Sequence, residues 1–152
     1  MVMRRSQISY SLKDYPICDK ERVLCYSGPM KTIAVRGAIT VENDPDEAKA
    51  MIQAVGTLAR SLMKSNSITI ESIVSVQFSQ TADLQKMNAA SALRIALPDF
   101  DSVPLFCSQE PEVEGSLPRA VRILIIWRGR GPALPLYLNE ASSLRPDLLE
   151  KQ

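Results

Sequence analysis

Apolar and polar positions change period several times along this chain, and each change marks an element. From Lys31 the run Thr32-Ile33-Ala34-Val35-Arg36-Gly37-Ala38-Ile39-Thr40-Val41 is rich in β-branched residues and is bounded by Asn43-Asp44-Pro45, the pattern of a strand followed by a helix start. Asp44 suits the N-cap, Pro45 the first helical position, and Asp46 and Glu47 the positive end of a helix. Ala48, Met51, Ile52, Val55, Leu58, Ala59, Leu62 and Met63 then recur at the spacing of one helical face, which predicts a helix to about Lys64.

After Asn66 the period changes again. Ile73-Val74-Ser75-Val76-Gln77-Phe78 alternates like a half-buried strand, and Asn88 to about Leu97 is rich enough in Ala and Leu for a shorter helix that Pro98 ends. Val103 to Cys107, Ala120 to Arg128 and Leu136 to Leu138 read as strands, with Gly129, Gly131, Pro132 and Pro135 turning the chain between the last two. The order β-α-β-α-β-β-β predicts an α+β domain, a mixed sheet with helices packed on it. Residues 1 to 30 mix Arg4, Arg5, Lys13, Asp14, Lys20, Glu21 and Arg22 with isolated apolar residues and no sustained period. They read as a poorly ordered segment before a folded domain of residues 31–152: with Met30 as the start of translation the first 29 residues are an upstream extension or a start-site artefact, and the alternative is a weak organelle-targeting peptide.

Composition narrows the chemistry. The 152 residues suit one domain. Eighteen Lys and Arg against seventeen Asp and Glu leave a net charge of +1, so no global field recruits nucleic acid or an anionic membrane. Any anion must be bound by local charge. The chain has no histidine, which removes the usual general base near neutral pH and the commonest metal ligand. Ser-His-Asp and Cys-His catalysis are thereby excluded. Cys18, Cys25 and Cys107 cannot all pair and show no zinc spacing, so a reducing, cytoplasmic setting is expected and a structural metal is not. The apolar stretch Ile123 to Trp127 is far too short to span a bilayer.

The remaining candidates are cations, carboxylates, a tyrosine and a cysteine set near apolar strands. Arg36 interrupts the first strand and Arg122 interrupts Ala120-Val121 and Ile123-Leu124-Ile125-Ile126, so both should face an interior or an interface. A guanidinium there needs an anion, either a structural carboxylate or a bound ligand. Cys107 and Glu110 lie where a strand leaves the sheet, and read singly the cysteine is an inert core residue. Arg94, Arg145 and Tyr137 pass singly as ordinary surface or packing residues.

Taken in order, Val35-Arg36-Gly37-Ala38-Ile39-Thr40-Val41-Glu42, Val103-Pro104-Leu105-Phe106-Cys107-Ser108-Gln109-Glu110, Arg122, Leu136-Tyr137-Leu138 and Leu144-Arg145-Pro146-Asp147-Leu148 resemble the monofunctional AroH-type chorismate mutase family from about Lys31 to Leu148. The resemblance implies a chorismate-mutase-like fold forming a trimeric pseudo-barrel, a homotrimer with active sites at subunit interfaces. It implies the [3,3] rearrangement of chorismate to prephenate, in the biosynthesis of phenylalanine and tyrosine, with no cofactor and no metal.

By the same resemblance Arg122 would donate to the breaking ether oxygen and the nearby carboxylate, Arg36 and Tyr137 would complete the carboxylate clamp, and Glu110 would hold the ring hydroxyl. Phe106, Cys107, Ser108 and Gln109 would lie beside the ring, Arg94 and Arg145 near the mouth, and Leu105 and Leu144 on the apolar walls. One departure stands out: Asn88-Ala89-Ala90-Ser91 occupies a place where family members often carry Phe-Pro-Ala and a charged residue. Two other readings remain, an imine or enamine deaminase of related fold and a non-catalytic sensor of an aromatic-pathway metabolite. The R-G-A opening and the L-R-P-D-L tail argue against the first, and the departure at Asn88 is the support for the second.

Overall fold

The computed structural model describes residues 29–149; the expected extension therefore lies outside the described residues except at its last two positions. The elements are β1 (Lys31–Thr40), α1 (Glu47–Asn66), β2 (Ile73–Gln80), α2 (Ala89–Ala96), β3 (Leu105–Gln109), β4 (Ala120–Gly129), β5 (Leu136–Leu138) and a short α3 (Pro146–Leu149). The strands form one sheet in the order β3-β2-β4-β1-β5. β4 runs antiparallel to both β1 and β2, while β3 joins β2, and β5 joins β1, in parallel. This is the expected α+β architecture, and no described helix is long and apolar enough to cross a membrane.

Alternation decides what each strand faces. Val35 and Ile39 of β1, Val76 and Phe78 of β2, and Val121, Ile123, Ile125 and Trp127 of β4 are buried in one core with Met51, Val55, Leu58 and Leu62 of α1 and Leu93 of α2. The intervening residues point to the other face, away from α1 and α2, where the 3-10 turn Asn139–Leu144 lies against the Thr40 end of β1. On that face Arg36, Gln77 and Phe106 are exposed and Ser79, Arg122, Leu124 and Ile126 half-buried.

Helix ends differ from the sequence reading by a short turn. The N-cap of α1 is Asp46, whose carboxylate accepts from Lys49 N at 3.1 Å. Asp44 instead accepts from Asp46 N at 2.8 Å, so its side chain closes the turn before the helix and Pro45 is not the first helical residue. The opposite end stops at Ser67, with φ 51°. Asn88 caps α2 by accepting from Ser91 N at 2.8 Å. β3 begins at Leu105 rather than Val103, because Pro98–Ser102 forms a 3-10 turn against which Val103 is buried.

The loop between β2 and α2 is pinned from α1. Glu47 Oε1 accepts from Gln85 N at 2.9 Å and Lys86 N at 2.8 Å, and Oε2 takes Arg119 Nη1 at 3.3 Å. Arg119 also donates to the carbonyls of Val41 and Glu42. The Lys86 amide foremost, with the Gln85 amide and Arg119 behind it and partial burial opposing, holds the Glu47 carboxyl below its ordinary 4.5. A depressed folded value adds stability above the ordinary pKa and loses it as pH falls through the folded one.

Two predictions follow from these contacts. A Cβ on Gly37 would lie 2.7 Å from the Leu136 carbonyl oxygen and 2.8 Å from Leu62 Cδ1, so Gly37→Ala pushes β5 from β1 at a cost of about 1–3 kcal/mol, read as a lower urea midpoint. Glu47→Gln lowers the midpoint at pH 6, and the gap to the parent protein narrows by pH 3; a gap independent of pH would deny the carboxylate this role.

Candidate active site on the open sheet face

Strand register brings the chemistry-bearing residues into one row. Ser108 pairs with Ser79, Ser79 with Arg122, Arg122 with Ala38 and Ala38 with Tyr137, a line crossing all five strands on the face turned away from α1 and α2. Arg36 stands in the next row, opposite Leu124. Arg36 is exposed, and among the described residues it has no ion-pair partner.

Arg122 is paired. Its Nη1 is in contact with Glu110 Oε2, and the two side chains are 36% and 16% exposed. Glu110 Oε1 accepts from Ser79 Oγ. The Glu110 backbone is fixed as well, its N–H donating to Gln80 O at 2.8 Å as the β2–β3 ladder runs one residue past β3. A carboxylate has about four acceptor positions, so a Glu110 bound twice can still accept from a ligand hydroxyl. The array joins a fixed cation, a carboxylate and an open lone pair on a partly solvated surface.

Tyr137 is half-buried on the short β5, with the guanidinium carbon of Arg145 6.0 Å from its ring centroid. Arg145 meets Asp147 through two bonds of 2.8 and 2.7 Å. That hydrogen-bonded pairing, ahead of the aromatic neighbour, raises the Arg145 pKa above its ordinary value. Leu144 is 37% exposed one residue earlier.

Other sequence candidates fall elsewhere within the single chain. Phe106 is 66% exposed on the open face, but in its row Gln77 and Leu124 separate it from Arg36, three strand spacings or about 14 Å. Leu105 and Cys107 pack toward the helix side, where Cys107 Sγ lies 3.5 Å from Gln80 Oε1. Gln109 is exposed at the end of β3. Arg94, in the last turn of α2, sits 4.0 Å from Asp101 with both side chains well exposed, a pair worth little in stability.

Two residues that the sequence reading left unassigned organise this region. Ser79 belongs to the row, and Gln80 faces the core, its Nε2 donating to Leu84 O at 2.8 Å and Met87 O at 3.2 Å while Oε1 accepts from Ala89 N at 2.9 Å. Gln80 thereby ties the loop and the start of α2 to the sheet. The signal lay in β2, where Ser75, Gln77 and Ser79 continue one alternation past the expected end at Phe78.

Comparison with known proteins matches the chain to one family. The family model for chorismate mutase type I matches residues 32–148. The chorismate mutase AroH of Thermus thermophilus is 39% identical over 122 residues, covering 78% of this chain and 97% of the relative. That of Bacillus subtilis (strain 168) is 32% identical over 117 residues, covering 75% and 90%. Among solved structures, a chorismate mutase from Clostridium thermocellum superimposes with a TM-score of 0.67 at 26% identity, over 73% of this chain and 98% of that one.

Proposed function

The chain belongs to the type I chorismate mutase family, and from that premise we propose how its open sheet face carries the reaction. Its activity is that of a chorismate mutase, an isomerase that rearranges chorismate to prephenate on the route to phenylalanine and tyrosine. The family match and the named relatives favour this over the deaminase and the sensor. Asn88, the first residue of the departure, serves as the cap of α2.

The observation that carries the site assignment is the Glu110–Arg122–Ser79 contact set in a row that ends at Tyr137. Chorismate carries two carboxylates, and its rearrangement breaks a C–O bond, so negative charge grows on the ether oxygen. Arg122 donates to that oxygen, as a cation already held in place. Arg36 and Tyr137 clamp the carboxylate and hold the flexible substrate in its reactive conformer. Glu110 accepts from the ring hydroxyl with the lone pair that its two protein contacts leave open. Arg94 and Arg145 act near the mouth, and Leu144 with Phe106, Ser108 and Gln109 borders the ring, while Leu105 and Cys107, expected there from the sequence, belong to the core side of β3. Residues 31–152 form the catalytic unit, beyond an extension of residues 1–30.

A homotrimer completes the site. The β3 edge of one subunit meets the Arg36, Arg122 and Tyr137 region of the next, which brings to one substrate two groups whose backbones lie about 14 Å apart in a single chain. The open face also carries Ala34, Leu124, Ile126 and Phe106, apolar area suited to burial between subunits. A cytoplasmic location belongs to the same proposal and accords with a cysteine count of three.

Chorismate incubated with purified protein yields prephenate, identified by chromatography. Arg122→Ala lowers turnover by about two to three powers of ten, and Arg122→Lys also fails badly, because a point ammonium does not reproduce the planar fork. Near-normal turnover by Arg122→Lys removes Arg122 as the ether donor. Sedimentation gives the mass of three chains, and mixing Arg122→Ala subunits with Phe106→Ala subunits recovers activity absent from either alone. No recovery on exchange would place the whole site in one chain.

A further inference from the structure

We infer that Ser79 is a positioning residue for the rearrangement: it fixes the rotation of the Glu110 carboxylate, and through it the direction in which Arg122 presents its guanidinium. The inference rests on the mutase reading above. Its basis is a division of contacts among three neighbouring groups. Glu110 Oε1 is taken by Ser79 Oγ and Oε2 by Arg122 Nη1. An ionised carboxylate only accepts, so the serine hydroxyl is the donor and its proton lies toward Glu110.

That bond does little for the backbone, because the Glu110 N–H is already secured on Gln80 O. Core anchoring in this corner belongs to Gln80, on the opposite side of β2. What Ser79 controls is the remaining torsion of the carboxylate. With Oε1 engaged, Glu110 offers Arg122 one oxygen and leaves the other guanidinium nitrogens free to point away from the sheet. With Oε1 released, the carboxylate can rotate to grip Arg122 through both oxygens, the geometry that arginine and carboxylate favour. That grip would consume the donors the ether oxygen needs. Ser79 is also adjacent to Arg122 across β2 and β4, so a hydroxyl there reaches Glu110 without entering the space above the row.

The test is a double-mutant cycle on the full chain, reading kcat and KM for chorismate conversion. Ser79→Ala lowers kcat by about tenfold, the loss expected for a hydrogen bond to a charged group, with urea midpoint and assembly mass close to those of the parent. Ser79→Thr, which keeps the hydroxyl on a residue suited to a strand, restores most of kcat. In a Glu110→Ala background Ser79→Ala changes kcat by less than about twofold, since its effect is transmitted through the missing carboxylate. Parent-like kcat in Ser79→Ala, or an equal loss with and without Glu110, overturns the inference and leaves the mutase reading standing. Full activity in Glu110→Ala overturns both the role given to Glu110 and the inference built on it.

Discussion

A guanidinium on the central strand of a sheet must find an anion, and much of this fold can be read from how Arg122 finds one. β4 has a neighbour on each side, so Arg122 is only partly open to water and its charge is costly unless matched. Glu110 supplies the match from a different part of the chain. It arrives because β3 adds to β2 in parallel, which needs a crossover, and that crossover contains α2. Gln80 holds the crossover to the sheet and Glu47 holds its loop to α1. A chain of neutral and charged hydrogen bonds thus ends in one correctly placed carboxylate.

Period-two alternation makes core and site inseparable. In β1, Val35 and Ile39 go to the helix side while Arg36 goes to the other; in β4, Val121 and Ile123 flank Arg122 in the same way. A slip of one residue would bury both arginines and expose the core. The apolar set therefore stabilises the fold and also enforces the register that lines up Ser79, Arg122 and Tyr137. The geometry of the proposed site is maintained by residues on the opposite side of the sheet.

Much of this was legible in the sequence where the signal is local. The β-branched runs of β1 and β4, the apolar stripe of α1 and the stop at Pro98 each depend on a few neighbouring residues. Arg36 and Arg122 stood out because a charge inside an apolar run demands a partner. Choosing Glu110 as the partner of Arg122 is a question of strand order, and β3-β2-β4-β1-β5 depends on long-range pairing that no short window contains. Asp44 and Asp46 compete for one cap, and an extra side-chain turn decided for Asp46. Polar Ser79 and Gln80 resembled the end of a strand, yet one is covered by a carboxylate and the other by two backbone carbonyls and one amide. The side of Cys107 follows from alternation with Phe106, but family resemblance had drawn attention to its position rather than to its direction.

The three-residue strand β5 bears on the order of folding events. Its partner β1 lies at the other end of the described chain, and the link just beyond it, from Asn139 to Thr40, spans 99 residues. Closing so long a loop costs entropy that a three-residue pairing repays only once β1 and β4 have already aligned. Tyr137 therefore takes its place among the last contacts to form, and on a ribosome it cannot do so until nearly the whole domain has emerged. The nascent protein holds its core before it holds the proposed clamp, so a chain interrupted before Leu136 can be largely folded and still lack Tyr137.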